Sequence, residues 1–137
     1  MLRRDHRVDV LRGVPLFSAC SSKELRRIAA IADELSFREG KILTRQGGPG
    51  REMFILLEGT VKVERNGEQV NVLGRGDFLG EGALVLGQPR NATITATAPL
   101  RALVISEANF KVLLGDGRIS SKVHETLAAR TPPEESE

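Results

Sequence analysis

Residues 78–93 of this chain read FLGEGALVLGQPRNAT and say more about its fold than any other segment. Gly80 and Glu81 stand at the start of a short helical run within this segment. Pro89 ends the run, because proline cannot continue a helix, and Arg90 follows directly. The start of a helix has free backbone N–H groups and the positive end of the helix dipole, so it attracts anions.

Two side chains in this segment suit different parts of a nucleotide. The guanidinium of Arg90 is a planar fork of donors that can bind two phosphate oxygens at once. An ionised Glu81 can only accept hydrogen bonds, which suits a sugar hydroxyl better than a phosphate. One fork for a phosphate, one acceptor for a ribose and a ring of backbone amides together predict a pocket for a small nucleotide.

The segment resembles the phosphate-binding cassette of the cyclic nucleotide-binding domain family, which occurs in kinase regulatory subunits, gated channels and catabolite activators. The family pattern is F-G-E-x-[AG]-L, a variable stretch and then P-R-x-A-T. Its matches here are Gly80–Leu84 and Pro89–Thr93. Other segments that resemble the family are 14–17 with 21–25, 40–43 with 45–47, and 53–61. The resemblance therefore covers most of residues 14–128.

The resemblance implies a set of ligand-binding residues within the cassette. They are Gly80, Glu81, Gly82, Ala83, Leu84, Arg90, Asn91 and Ala92. In the family's pattern, Gly80 leaves space for the ligand and Glu81 accepts from the ribose 2′-OH. The amides around Gly82–Leu84 face the cyclic phosphate, and Arg90 binds its exocyclic oxygens beside the Ala92 amide. Glu81 and Arg90 could also satisfy each other, and this reading is compatible with ligand binding.

Two departures from the family pattern bear on the ligand. Gly82 stands where the family more often has an apolar residue, which loosens the short helix by about 1 kcal/mol relative to alanine. Asn91 follows Arg90 where cAMP sites often have alanine and cGMP sites threonine or serine. Since Asn91 is not the hydroxyl residue that marks cGMP sites, we expect cAMP. Its amide could contact a guanine amino group, so cGMP remains the alternative.

The composition excludes several classes of protein. The chain has 137 residues, enough for one core, and its lone Cys20 excludes a disulfide framework and a four-cysteine metal site. No apolar run approaches the ~20 residues needed to span a bilayer, and no signal peptide is recognisable, so we expect a cytoplasmic protein. His6 and His124 lie near opposite ends, and Tyr and Trp are absent, which argues against an enzyme. No catalytic residue, metal or cofactor is expected.

The charge is uneven along the chain. The net charge is +2, yet residues 1–51 contain 11 Lys and Arg against 6 Asp and Glu. A basic half can attract nucleic acid. We interpret these charges instead as a solvated helix face, because acids are interleaved with them and no recognition helix is apparent. Nucleic acid is therefore not an expected partner of this chain alone.

The residue pattern predicts helices on either side of many short strands. Ser21 and Glu24 form a capping box before a helix that should end near Leu35. Glycine-punctuated β segments follow to Ile105, with a hairpin turn at Asn66-Gly67. This indicates a mainly β, jelly-roll-type barrel with flanking helices. We expect residues 1–130 to form one cyclic nucleotide-binding domain and 131–137 a disordered acidic tail.

The function implied by the resemblance is that of a sensor. Ligand binding would move the C-terminal helices, and an unidentified protein effector would respond to that movement. Residues 111–137 contain no aromatic side chain, so Ile119, Lys122 and Val123 are the candidates to cover the base. One alternative is an effector-sensing fragment of a catabolite activator-type transcription regulator. Another is an interaction module of the same fold without a nucleotide, and homodimer formation is left open.

Overall fold

A computed structural model describes residues 4–49, 51–80, 89–115 and 117–130. In chain order their elements are α1 (Arg4–Arg12), a 3₁₀ helix (Pro15–Phe17), α2 (Ser22–Ile31), β1 (Asp33–Phe37), β2 (Ile42–Thr44), β3 (Glu52–Glu58), β4 (Val61–Arg65), β5 (Glu68–Leu73), β6 (Phe78–Leu79), β7 (Thr93–Ala96), β8 (Leu100–Ser106), α3 (Glu107–Leu114) and α4 (Gly117–Arg130). They fall into two compact units: a strand unit, Ala32–Glu107, and a helical unit formed by the segments before and after it.

The strand unit consists of two four-stranded antiparallel sheets. One sheet has the order β1-β8-β3-β6 and the other β2-β7-β4-β5. The expectation of a mainly β architecture with flanking helices is confirmed. The non-sequential strand order pairs β3 with β6 in one sheet and β2 with β7 in the other.

Both sheets contribute to one hydrophobic core. Alternate residues of β3, β4, β7 and β8 supply most of it, in keeping with the two-residue period of a strand. Leu79 and Ala92 are also buried in this core. Leu79 directly precedes Gly80, and Ala92 follows Arg90 by two residues, so the core holds the backbone close to both Gly80 and Arg90.

The β4–β5 hairpin turns at the two residues that the sequence indicates. Asn66 has φ 53° and Gly67 has φ 83°, the left-handed conformations that a two-residue turn of this kind requires. Asparagine tolerates this conformation better than most residues, and glycine adopts it without strain. The predicted turn is confirmed.

Helix α2 begins as predicted and ends earlier. The Ser21 amide donates to Glu24 Oε1 at 2.7 Å, and the Glu24 amide donates to Ser21 Oγ at 3.2 Å, which completes the capping box. The helix nevertheless ends at Ile31, and the expected end near Leu35 is wrong. Residues 33–37 instead pair with β8, because the backbone hydrogen bonds of that pairing outweigh a local helical pattern.

One partly exposed arginine joins three neighbouring strands. Arg101 of β8 donates to Glu34 of β1 at 2.6 Å and to Glu58 of β3 at 3.3 Å. The hydrogen bond and charge of Glu34 raise the pKa of Arg101, with a smaller contribution from Glu58. The two ion pairs thus connect β8 with both of its neighbours in the sheet.

The helices after the strands also follow the sequence pattern. Helix α3 ends at Leu114, Gly115 lies in a turn, and α4 begins at Gly117. Within the described ranges, no helix combines the length and the apolar character that crossing a membrane requires. The expected acidic tail at 131–137 lies outside the described residues.

Candidate ligand-binding site

Arg90 is fixed through both its backbone and its side chain. Its amide donates to the Gly48 carbonyl at 2.9 Å, and its carbonyl accepts from the Gly47 amide at 2.8 Å. Its Nη2 donates to the main-chain carbonyl of Glu52 at 2.5 Å. Only 8% of Arg90 is exposed. The guanidinium is therefore held in one orientation by the protein itself.

Gly80 lies directly against this guanidinium. Its φ is +89°, a conformation that residues with a side chain rarely adopt. A Cβ built on Gly80 would overlap Nη1 of Arg90 and would lie 2.6 Å from the Glu52 carbonyl oxygen. A side chain at position 80 and the observed position of Arg90 are therefore mutually exclusive.

The turn that holds the Arg90 backbone is itself tied to its neighbours by Gln46. The Gln46 Nε2 donates to Asn66 Oδ1 at 2.9 Å, and the Gln46 Oε1 accepts from the backbone N–H of Asn66 at 2.8 Å. The backbone N–H of Gln46 donates to Thr93 Oγ1 at 3.0 Å. Nearby, the Thr44 hydroxyl donates to the Ala92 carbonyl at 3.1 Å. The turn that bonds to the Arg90 backbone is thus itself restrained by the β4–β5 hairpin and by the start of β7.

Replacing Gln46 with alanine is expected to loosen this turn without unfolding the domain. The two side-chain bonds to Asn66 are exposed, so their loss should cost about 1 kcal/mol. Amide hydrogen exchange at Gly47 and Arg90 should then quicken by roughly five-fold. The matched control is Gln69→Ala on the exposed face of β5, which should leave both amides unchanged. Equal exchange in the two variants would show that Gln46 does not restrain the turn.

The structure brings together only part of the predicted residue set. Gly80 and Arg90 are in contact, Asn91 next to them is exposed, and Ala92 is buried in the core. The other four predicted ligand-binding residues, Glu81, Gly82, Ala83 and Leu84, lie outside the described residues. Two contributors to the site were missed by sequence reasoning: the Glu52 carbonyl and the Gln46 side chain. A backbone carbonyl leaves no signal in the identity of its residue.

Of the three residues predicted to cover the base, the structure describes the side chain of Ile119. Ile119 is fully buried, and α4, which carries it, packs against the 3₁₀ helix Pro15–Phe17 in the helical unit. This burial fits a packing role for Ile119. The side chains of Lys122 and Val123 lie outside what the structure describes.

A cavity of about 630 Å³ opens beside Arg90 in the strand unit. Its charged lining residues are Arg38, Lys41, Arg45, Arg51, Arg90 and Glu52. Five cations and one acid make this a strongly basic surface, suited to anions. Within the described part of the chain, no cluster of three or more His, Cys, Asp or Glu residues could hold a metal ion.

The fold and the site together define a β domain with a buried arginine beside a basic cavity. Residues 34–116 match the family model of the cyclic nucleotide-binding domain, and the chain belongs to this family. The resemblance of residues 78–93 to the phosphate-binding cassette is thereby placed within a match that extends over most of the strand unit.

Similar proteins include kinases and their regulatory subunits. A cAMP-dependent protein kinase regulatory subunit of Mycosarcoma maydis is 41% identical over 77% of this chain and 22% of its own length. The cGMP-dependent protein kinase egl-4 of Caenorhabditis briggsae is 31% identical over 85% of this chain and 16% of its own length. The chain thus spans about a quarter or less of the length of these relatives.

Solved structures of similar domains come from two kinds of protein. The N-terminal domain of a transcriptional regulator from Streptomyces coelicolor A3(2) is 28% identical, with a TM-score of 0.79 over 89% of this chain and 91% of that one. The regulatory domain of Toxoplasma gondii PKA, crystallised with cAMP, is 26% identical, with a TM-score of 0.74 over 90% of this chain and 50% of that one.

Proposed function

We propose that this domain binds a cyclic nucleotide in a pocket that begins at Gly80 and Arg90, and that the ligand is cAMP. The observation that carries the proposal is the guanidinium of Arg90, which the Glu52 carbonyl holds against Gly80. Membership of the family and the cAMP-dependent relatives support it. The cGMP-dependent relative and Asn91 keep cGMP as the alternative ligand.

Each residue of the proposed pocket has a separate role. Arg90 binds the exocyclic oxygens of the cyclic phosphate, and Glu81 accepts a hydrogen bond from the ribose 2′-OH. The backbone amides around Gly82–Leu84 and at Ala92 complete the phosphate contacts. Arginine suits this role because its fork matches two phosphate oxygens and remains charged at any physiological pH.

We propose further that binding, rather than catalysis, is the activity of residues 1–130. Occupation of the pocket moves the C-terminal helices, and a protein effector responds to this movement. Hydrogen exchange across α3 and α4, with and without cAMP, tests this step directly. Unchanged exchange in both helices at saturating cAMP would contradict it.

A second candidate function is that of the effector-sensing part of a transcription regulator. The similarity to the N-terminal domain of the Streptomyces coelicolor regulator supports it, because that domain and this chain cover each other almost completely. The ligand would be the same in both cases, and the effector would be a DNA-binding domain instead of a separate protein.

The proposed ligand should stabilise the domain against heat. At a cAMP concentration of 100 times its Kd, mass action adds about 2.7 kcal/mol to the free energy of unfolding. For a domain of this size such a gain should raise the melting temperature by roughly 5–11 °C. A larger rise with cAMP than with equal cGMP would support cAMP as the ligand. No rise with millimolar amounts of either nucleotide would contradict the proposal.

A further inference from the structure

Four cations of the cavity beside Arg90 have no part in the proposed contacts with the phosphate. Arg38 follows β1, Lys41 precedes β2, and Arg45 and Arg51 flank the turn between β2 and β3. The excess of positive charge in residues 1–51 was interpreted above as a solvated helix face. For these four residues that interpretation is wrong, because they lie outside the helices and line one cavity.

The four side chains are exposed, whereas Arg90 in the same cavity is buried. A cavity of 630 Å³ is roughly 11 Å across, close to the Debye length of about 8–10 Å at moderate ionic strength. Each cation therefore contributes to the potential at Arg90. Clefts lined by charges of one sign concentrate the oppositely charged ligand and increase its rate of association.

We propose that this basic cavity attracts the anionic ligand toward Arg90 and thereby sets its rate of association. The inference rests on the proposed function, since it concerns the ligand of the same site. Exposed charges that act over a distance change the association rate and its dependence on salt. The dissociation rate is set by the contacts with Arg90 and its neighbours, which the exposed cations do not alter.

The test compares two double variants with the same net charge. Lys41→Gln with Arg51→Gln removes two cations that line the cavity. Lys62→Gln with Arg75→Gln removes two cations that do not line it. Arg51 directly precedes the first residue of β3. Arg75 lies near the other end of that strand, because the backbone N–H of the adjacent Gly76 donates to the Leu56 carbonyl. The comparison thus separates the effect of charge at the cavity from the effect of the total charge of the chain.

The measurement is stopped-flow binding of a fluorescent 8-substituted cAMP to the whole chain. At about 20 mM salt, the cavity variant should bind roughly 3- to 10-fold more slowly than the control variant, with the same dissociation rate. At about 300 mM salt the difference should largely disappear, since screening then acts within a few ångströms of each charge. Melting temperatures of both variants confirm that the fold is retained.

Three results would overturn the inference. Equal association rates for the cavity and control variants at low salt would show that the cavity does not attract the ligand. A difference confined to the dissociation rate would make Lys41 and Arg51 contact residues instead. If the unsubstituted chain bound neither this analogue nor unlabelled cAMP and cGMP, the proposed function would fail, and the inference with it. Binding with equal association rates would remove the inference alone.

Discussion

Replacing Arg90 with alanine is expected to weaken cAMP binding by at least about 10-fold, and by about 100-fold or more if both hydrogen bonds of the fork are lost. A hydrogen bond to a charged group contributes roughly 1.5–3 kcal/mol, and 1.4 kcal/mol corresponds to a factor of ten in Kd. Because Arg90 is 8% exposed and already oriented by the Glu52 carbonyl, little of that energy is spent on ordering the side chain. Calorimetric titration of the variant with cAMP measures the loss.

Two further variants separate the geometry of Arg90 from its charge. Arg90→Lys keeps the positive charge and removes the fork, so its affinity should fall between those of the native protein and Arg90→Ala. Glu81→Ala should cost less than Arg90→Ala, and it should matter little for an analogue that lacks the 2′-OH. Thermal unfolding without ligand shows whether each variant is folded. An unchanged affinity in folded Arg90→Ala would exclude Arg90 from the phosphate site.

Replacing Gly80 with alanine is expected to weaken both the fold and cAMP binding. The positive φ alone costs of order 1 kcal/mol for a residue with a side chain. The added methyl group also requires the space that the Arg90 guanidinium occupies, and the nearby Glu52 carbonyl belongs to the backbone of β3 and cannot move aside easily. We therefore expect at least a 10-fold loss of affinity through displacement of Arg90, corresponding to about 1.4 kcal/mol.

The matched control for this variant is Gly76→Ala. Gly76 has φ +88°, nearly the same as Gly80, yet a Cβ on Gly76 would meet no atom within 4 Å. The two substitutions therefore share the backbone cost and differ in the displacement of Arg90. Gly76→Ala should lower the melting temperature and leave the Kd for cAMP unchanged. Similar affinities for the two variants would mean that the position of the guanidinium does not control binding.

The parts of the fold with strong local signals were predictable from the sequence. The Asn66-Gly67 turn and the capping box at Ser21 each depend on the chemistry of a few neighbouring residues. The end of α2 was not predictable in this way. Leu35 continues an apolar helical spacing, yet residues 33–37 form a strand because β8, more than sixty residues later, pairs with them.

In the candidate site, too, the features with a local sequence signal were predictable and those formed by distant segments were not. Gly80 and Arg90 belong to one contiguous pattern, and the structure places them in contact. The Glu52 carbonyl and the basic cavity were missed, because a backbone acceptor has no sequence signature and the cavity is assembled from separated segments. The charge count detected the cations of residues 1–51 without locating them. The structure shows that four of them line the cavity beside Arg90.

The most direct test of the proposed site is calorimetric titration of the chain with cAMP, with adenosine as the comparison ligand. Adenosine lacks the phosphate that Arg90 is proposed to bind, so it should bind at least about 10-fold more weakly than cAMP. We expect a one-to-one complex with cAMP. Equal affinity for adenosine and cAMP, or no binding of either cAMP or cGMP at millimolar concentration, would contradict a phosphate site at Gly80 and Arg90.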